Sequence, residues 1–139
     1  MYGEIRTKII DTITTLVTTG KLGSVYRTDR SQFSAYPAAV VVPSQNEADY
    51  ASTAPDANKE TYIFTIRVHY PITEGQDTAD IALEGAIDEL IETFRDRRAL
   101  GDTVDWVAPV PSIWGYQDRP DGQMRVAELT IRAIKYVGV

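Results

Sequence analysis

A chain of 139 residues with 43% hydrophobic side chains fits one globular domain over 1–139, large enough to remove about two-thirds of its unfolded surface from water. The absence of cysteine excludes disulfides, thiolate metal sites, redox dithiols and a cysteine nucleophile. The 14 basic and 20 acidic residues leave a net charge of −6, which argues against general binding to nucleic-acid phosphates.

Residues Tyr2 to Thr19 place Ile5, Ile9, Ile13, Leu16 and Val17 on one stripe of a 3.6-residue helix, and Gly20 is a natural stop. Six threonines (Thr7, Thr12, Thr14, Thr15, Thr18 and Thr19) lower its intrinsic helix propensity, so the helix is expected to depend on docking against a sheet. From Ser24 the period changes to two. Val25 to Thr28 reads as a short strand. Ala38 to Val42, closed by Pro43, reads as a strand buried on both faces. It is also the longest apolar stretch, far too short to span a bilayer, so no membrane partner is expected. The N-terminus mixes charge with threonine where a signal peptide would place a basic start and an apolar block, so none is expected.

Tyr62 to Tyr70 alternates cleanly. Tyr62, Phe64, Ile66, Val68 and Tyr70 share one face and Thr65, Arg67 and His69 the other. Before it lies Ser44 to Asn58, a polar stretch read as a long loop of the kind that carries function. Asp77 offers the N-cap of a second helix, whose stripe is Leu83, Ala86, Ile87, Leu90, Ile91 and Phe94. This helix runs to about Ala99, ends at Gly101, and carries Arg95, Arg97 and Arg98 in its last turn. Between Glu74 and Asp96 there are eight acidic residues and one basic, a local −7. The acidity is therefore mostly the solvent face of one amphipathic helix.

A short strand around Val104 to Val107 precedes a segment dense in proline and aromatics (Trp106, Pro109, Pro111, Trp114 and Tyr116). Pro120, Asp121 and Gly122 supply hairpin-turn chemistry. The returning strand, Met124 to Val137, buries Ala127, Leu129, Ile131 and Ala133 and wets Glu128, Thr130 and Arg132. The order helix, strands, helix, hairpin defines an α+β domain, a mainly antiparallel sheet with both helices on one face.

The chain contains no phosphate loop, no dinucleotide fingerprint and no serine-hydrolase elbow. Its single histidine, His69, reads as an exposed or partly covered sheet residue before it reads as a base or ligand. With no second histidine a transition-metal site would need scattered carboxylates. No catalytic residue, metal site or cofactor is assigned. Helical pairs such as Glu84 with Asp88 read first as solvated-face carboxylates. Trp106, Trp114 and Tyr116 either cap the open end of the core or form a contact surface. Arg119 and Arg125 interleave with these aromatics, but the compact basic stripe of a single-strand-binding face is missing.

YPAAVVVP at Tyr36 to Pro43, KETYIFTIRVHYP at Lys59 to Pro71, the acidic helix and the closing IWGYQDRPDGQMRVAELTIRAIKYV together resemble the tail terminator and tail-to-head joining proteins of long-tailed bacteriophages. The resemblance implies a non-enzymatic virion assembly protein, made in the host cytoplasm and located at the head-proximal end of the tail. It implies a homo-oligomeric ring, usually a hexamer, that caps the tail-tube protein, meets the head connector and lets DNA pass. The contact candidates are then Glu47, Asp49 and Tyr50 in the polar loop, with Trp106, Trp114, Tyr116 and Arg119. Glu84, Asp88 and Glu92 are candidate channel-facing acids. The alternatives are a ligand- or peptide-binding α+β module walled by Trp114 and Tyr116, or another minor tail or head-completion protein.

Overall fold

A computed structural model of the protein describes residues 2–43, 52–54, 57–96, 100 and 103–137. In chain order the elements are α1 (Tyr2–Thr18), β1 (Ser24–Tyr26), β2 (Ala38–Pro43), β3 (Ser52–Ala54), β4 (Ala57–Pro71), α2 (Gln76–Asp96), β5 (Trp106–Arg119) and β6 (Gly122–Val137). One sheet has the order β1-β2-β4-β6-β5, with β3 paired to β4 off that path. The β1–β2 pairing is parallel and every other pairing antiparallel, so the domain is α+β with a mixed, mostly antiparallel sheet.

The threonines of α1 satisfy themselves along the helix. The hydroxyls of Thr7, Thr12 and Thr14 donate to the carbonyls of Gly3, Lys8 and Ile10, each one turn back, so even the buried Thr12 leaves no polar group unpaired. The helix closes in a Schellman motif. Gly20 N–H donates to Val17 C=O at 3.1 Å and Lys21 N–H to Leu16 C=O at 2.9 Å, with Gly20 at φ +81°. Three residues on, the chain passes so close to the Ala35–Tyr36 backbone that a Cβ on Gly23 would lie 2.5 Å from Tyr36 N.

The core lies between both helices and one sheet face. Ile5, Ile9, Ile13 and Leu16 of α1 and Leu83, Ile87, Leu90 and Phe94 of α2 pack on Ala39, Val41, Phe64, Ile66, Val68, Leu129 and Ile131. These are the stripes and strand faces that the periodicity defines. β2 is indeed buried on both faces. Ala39 and Val41 enter the main core, while Ala38 and Val40 join Phe33 in a small second cluster on the opposite side.

Several boundaries differ from the sequence reading. Ser52–Ala54 pairs with Ala57–Lys59, so part of the stretch read as a loop is strand; residues 44–51, 55 and 56 lie outside the described residues. Asp77 sits within the first turn of α2 and does not cap it, because the chain turns at Gly75 (φ +109°), whose carbonyl accepts the Ala79 N–H. The helix end expected around Arg97, Arg98 and Ala99 and its stop at Gly101 fall outside the described residues.

The largest difference is β5. It is one 14-residue strand paired to β6 along its length, with a register shift between Pro111 and Trp114. Pro109 and Pro111 are tolerated because β5 is an edge strand, where a missing N–H breaks no ladder on the outer side. The β5–β6 turn is Pro120-Asp121, closed by the Arg119–Gly122 pair, as its composition indicates.

Candidate functional site

Strand alternation sends every second residue of β4, β5 and β6 away from the helices. On that outer face lie Ile63, Thr65, Arg67 and His69 of β4 and Val126, Glu128, Thr130 and Arg132 of β6. Trp106, Ala108 and Val110 of β5 lie beside them. Neither helix covers this face.

Among the described residues, four of the six large hydrophobic side chains that remain exposed belong to this side: Trp106, Val110, Ile113 at 67% and Tyr136 at 50%. The bulge beside Pro111 places Ile113 at the rim of a groove of about 200 Å³ shared with Arg67, Tyr116, Gln117, Val126 and Glu128. Arg67 Nε lies 3.4 Å from Glu128 Oε1 across the β4–β6 pair. Both groups are partly exposed, so the pair adds little stability and mainly sets the polarity of the groove floor.

The aromatic candidates separate. Trp106 belongs to the outer face. Trp114 packs against the main core, with the Arg125 guanidinium 5.3 Å from its ring. Tyr116 is half exposed, 4.5 Å from the same guanidinium. Arg125 Nε donates to Asp80 Oδ1 at 2.8 Å and Nη1 to the Gly115 carbonyl at 3.1 Å, which ties the start of α2 to the two strands. Trp114 therefore closes the open end of the core while Tyr116 presents a surface.

Glu84, Asp88 and Glu92 all lie on the exposed side of α2, four residues apart, as one acidic stripe. A second recess, about 360 Å³, runs between α2 and the corner at Pro37 and is lined by Lys21, Tyr36, Tyr70, Ile81, Gly85 and Glu89. Glu47, Asp49 and Tyr50 lie outside the described residues.

Arg119 is not a surface contact. Its side chain is only 4% exposed, with Nη1 3.0 Å from Asp29 Oδ1 and Nε 3.5 Å from Asp121 Oδ1. Nη2 also donates to the Arg30 carbonyl, and the guanidinium lies 4.2 Å above the Phe33 ring. Tyr36 Oη donates to Asp121 Oδ2 at 2.7 Å. Burial, followed by that carboxylate, pushes the Tyr36 phenol up to about 12. The same bond holds the Asp121 carboxyl below its ordinary range.

His69 is buried as well, at 2% exposure, where the alternation indicated an exposed or partly covered residue. The cause is residues 27–37, which fold over this end of the outer face and bring the Phe33 ring to 4.9 Å from the imidazole. Nε2 is 3.0 Å from Gln117 Oε1 and Nδ1 is 3.4 Å from the Ala38 carbonyl. Removal from water pushes the imidazole below its ordinary value, and the nearby Arg119 charge acts in the same direction.

Among the described residues no three of histidine, aspartate and glutamate converge as a metal-binding set. No described helix is long and apolar enough to cross a membrane. Sequence reasoning missed Val110, Ile113 and Tyr136 as surface apolars, and buried Phe33 with half-buried Tyr36, Gln117 and Asp121 as the surroundings of His69 and Arg119. The available signal was the alternation running through the prolines of β5. Compared with known proteins, the chain matches no family model and no curated protein.

Proposed function

We propose that the protein is a non-enzymatic assembly subunit of a bacteriophage virion, a tail terminator that closes into a ring, usually six copies, on the head-proximal end of the tail tube. The observation that carries this reading is the sheet face turned away from the helices, along which Trp106, Val110, Ile113 and Tyr136 are exposed. Exposed large apolar residues on one face suit an interaction surface, and a head-to-tail contact whose rotation closes gives a ring. In this reading the tube protein and the head connector meet the two ends of the ring. The Glu84, Asp88 and Glu92 stripe is then available to face passing DNA, where like charge limits sticking. A second reading, a module for a small ligand or peptide, draws on the 360 Å³ recess beside α2, which Trp114 and Tyr116 do not line.

Light scattering after gel filtration, with negative-stain images, tests the proposal on the full chain and on Ile113→Asp. Rings in the native chain, alone or on tube protein, with loss of rings and unchanged circular dichroism in the variant, are the expected result. A monomer that ignores tube protein, or rings that survive the variant unchanged, would refute it. Saturable retention of a small molecule by such a monomer would favour the second reading.

A further inference from the structure

Among the described residues, the two most exposed large hydrophobic side chains are Ile81 at 68% and Ile113 at 67%. They stand on opposite faces of the domain. Ile113 projects at the bulge of β5, a border strand, on the sheet face turned away from the helices. Ile81 belongs to α2 on the helix face and lines the 360 Å³ recess, which lies toward the β1–β2 side, where the chain leaves α1 at Lys21 and enters β2 at Pro37. Tyr36 and Tyr70, with rings 6.3 Å apart edge to face, wall this recess. Gly85 leaves it open. Glycine weakens a helix interior relative to alanine, yet neither a positive φ nor a close approach requires it here, because a Cβ would meet nothing within 4 Å.

The charges beside the two isoleucines are complementary. At the recess Lys21 Nζ lies 3.8 Å from Glu89 Oε1, and in the groove under Ile113 Arg67 Nε lies 3.4 Å from Glu128 Oε1. Each is a loose, partly exposed pair of one cation and one anion. Brought together, the two pairs can exchange partners, Arg67 with Glu89 and Lys21 with Glu128, with no charge left in excess.

From these placements we infer that the recess beside α2 receives the Ile113 bulge of a second copy of this chain, with Ile113 packed against Ile81, Tyr36 and Tyr70 of its neighbour. This rests on the ring reading above and supplies the contact that the ring needs. Bulge and recess stand on opposite faces, so two copies related by a two-fold axis cannot fill both at once. The contact is head-to-tail, and each copy inserts into one neighbour while receiving the other. By helical rotation Glu84 and Asp88 fall on the face of α2 adjoining Gly85 and Glu89, so they stay outside the contact.

The chain has no cysteine, so single thiols report the contact directly. Gly115→Cys, beside Ile113 where a Cβ meets nothing within 4 Å, and Ile81→Cys, at the recess, are purified separately, mixed, and treated with a short bismaleimide, alone and with tube protein. A cross-linked pair containing one of each is expected, and neither variant should give it by itself. Gly85→Leu fills the recess from within and should weaken self-association in light scattering by about tenfold or more, with a melting temperature unchanged or raised by about 2–4 °C. Arg67→Glu and Glu89→Arg should each weaken association, and the double variant, with two carboxylates by the bulge and two cations by the recess, should restore it. Absence of the mixed cross-link, native association in Gly85→Leu, or failure of the double variant to recover would each overturn the contact. Rings without the mixed cross-link would remove this contact and keep the ring reading, whereas cross-linked copies that never close into rings would keep the contact and remove the ring.

Discussion

Replacing Arg119 by methionine removes a guanidinium shared by two carboxylates, a carbonyl and an aromatic ring while keeping an apolar stem against Phe33. Removing one partner of a buried ion pair costs about 3–5 kcal/mol, because the other charge is stranded. Here Asp121 is 14% exposed and keeps the Tyr36 hydroxyl, so the loss should fall nearer about 2 kcal/mol. The bond to the Arg30 carbonyl adds about 1 kcal/mol and the stacking on Phe33 about as much again. The contact with Asp29, which is 59% exposed, adds under about 1 kcal/mol, and a sulfur–aromatic contact returns about half of one. The expected net loss is about 4 kcal/mol. For 139 residues at about 2.1 cal/mol/K each, the unfolding entropy is about 0.3 kcal/mol/K, so the melting temperature should fall by roughly 10 °C or slightly more. Urea unfolding of Arg119→Met, Asp121→Asn and the double variant measures both the loss and the coupling, which should be about 1 kcal/mol or more. A loss under about 1 kcal/mol, or additive single effects, would refute the buried pairing and return Arg119 to the surface.

Gly23→Ala forces a Cβ to within 2.5 Å of Tyr36 N and 2.7 Å of Ala35 C, backbone atoms that cannot rotate away. A cost of about 2 kcal/mol or more is expected, and an unchanged melting temperature would show that the approach is looser. Tyr36→Phe should cost about 1 kcal/mol at neutral pH. The phenol ionises at about 12 in the fold against 10.0 ordinarily, so its stabilising effect is full below 10.0 and fades as the pH rises toward 12. The stability gap between native chain and variant should shrink over that interval in urea titrations, and a constant gap would contradict the Tyr36–Asp121 bond.

What the sequence reveals best is what repeats. The four-four-three spacing of Ile5, Ile9, Ile13 and Leu16 and the two-residue period of Tyr62 to Val68 each report one buried face, and those faces meet in the core. What it hides depends on neighbours far along the chain. Pro109 and Pro111 argue locally against a strand, and only the position of β5 at the sheet edge makes them harmless. His69 lies on the polar side of its strand by period, and its burial comes from Phe33, 36 positions earlier in the chain. Arg119 looks like a surface arginine among aromatics because its partner Asp29 is 90 residues distant. Asp121 was visible as a turn residue, but its second task, anchoring Tyr36, leaves no local trace.

The two borders of the main sheet path are β1, three residues long, and β5, interrupted by two prolines and a bulge. Neither offers a straight run of free amides on which another chain could extend the ladder, so copy-to-copy growth into a fibre is discouraged at both sides. Any ordered association of this molecule is thereby steered toward flat, side-chain-mediated docking, which can be finite in number and reversed without unpicking a backbone ladder.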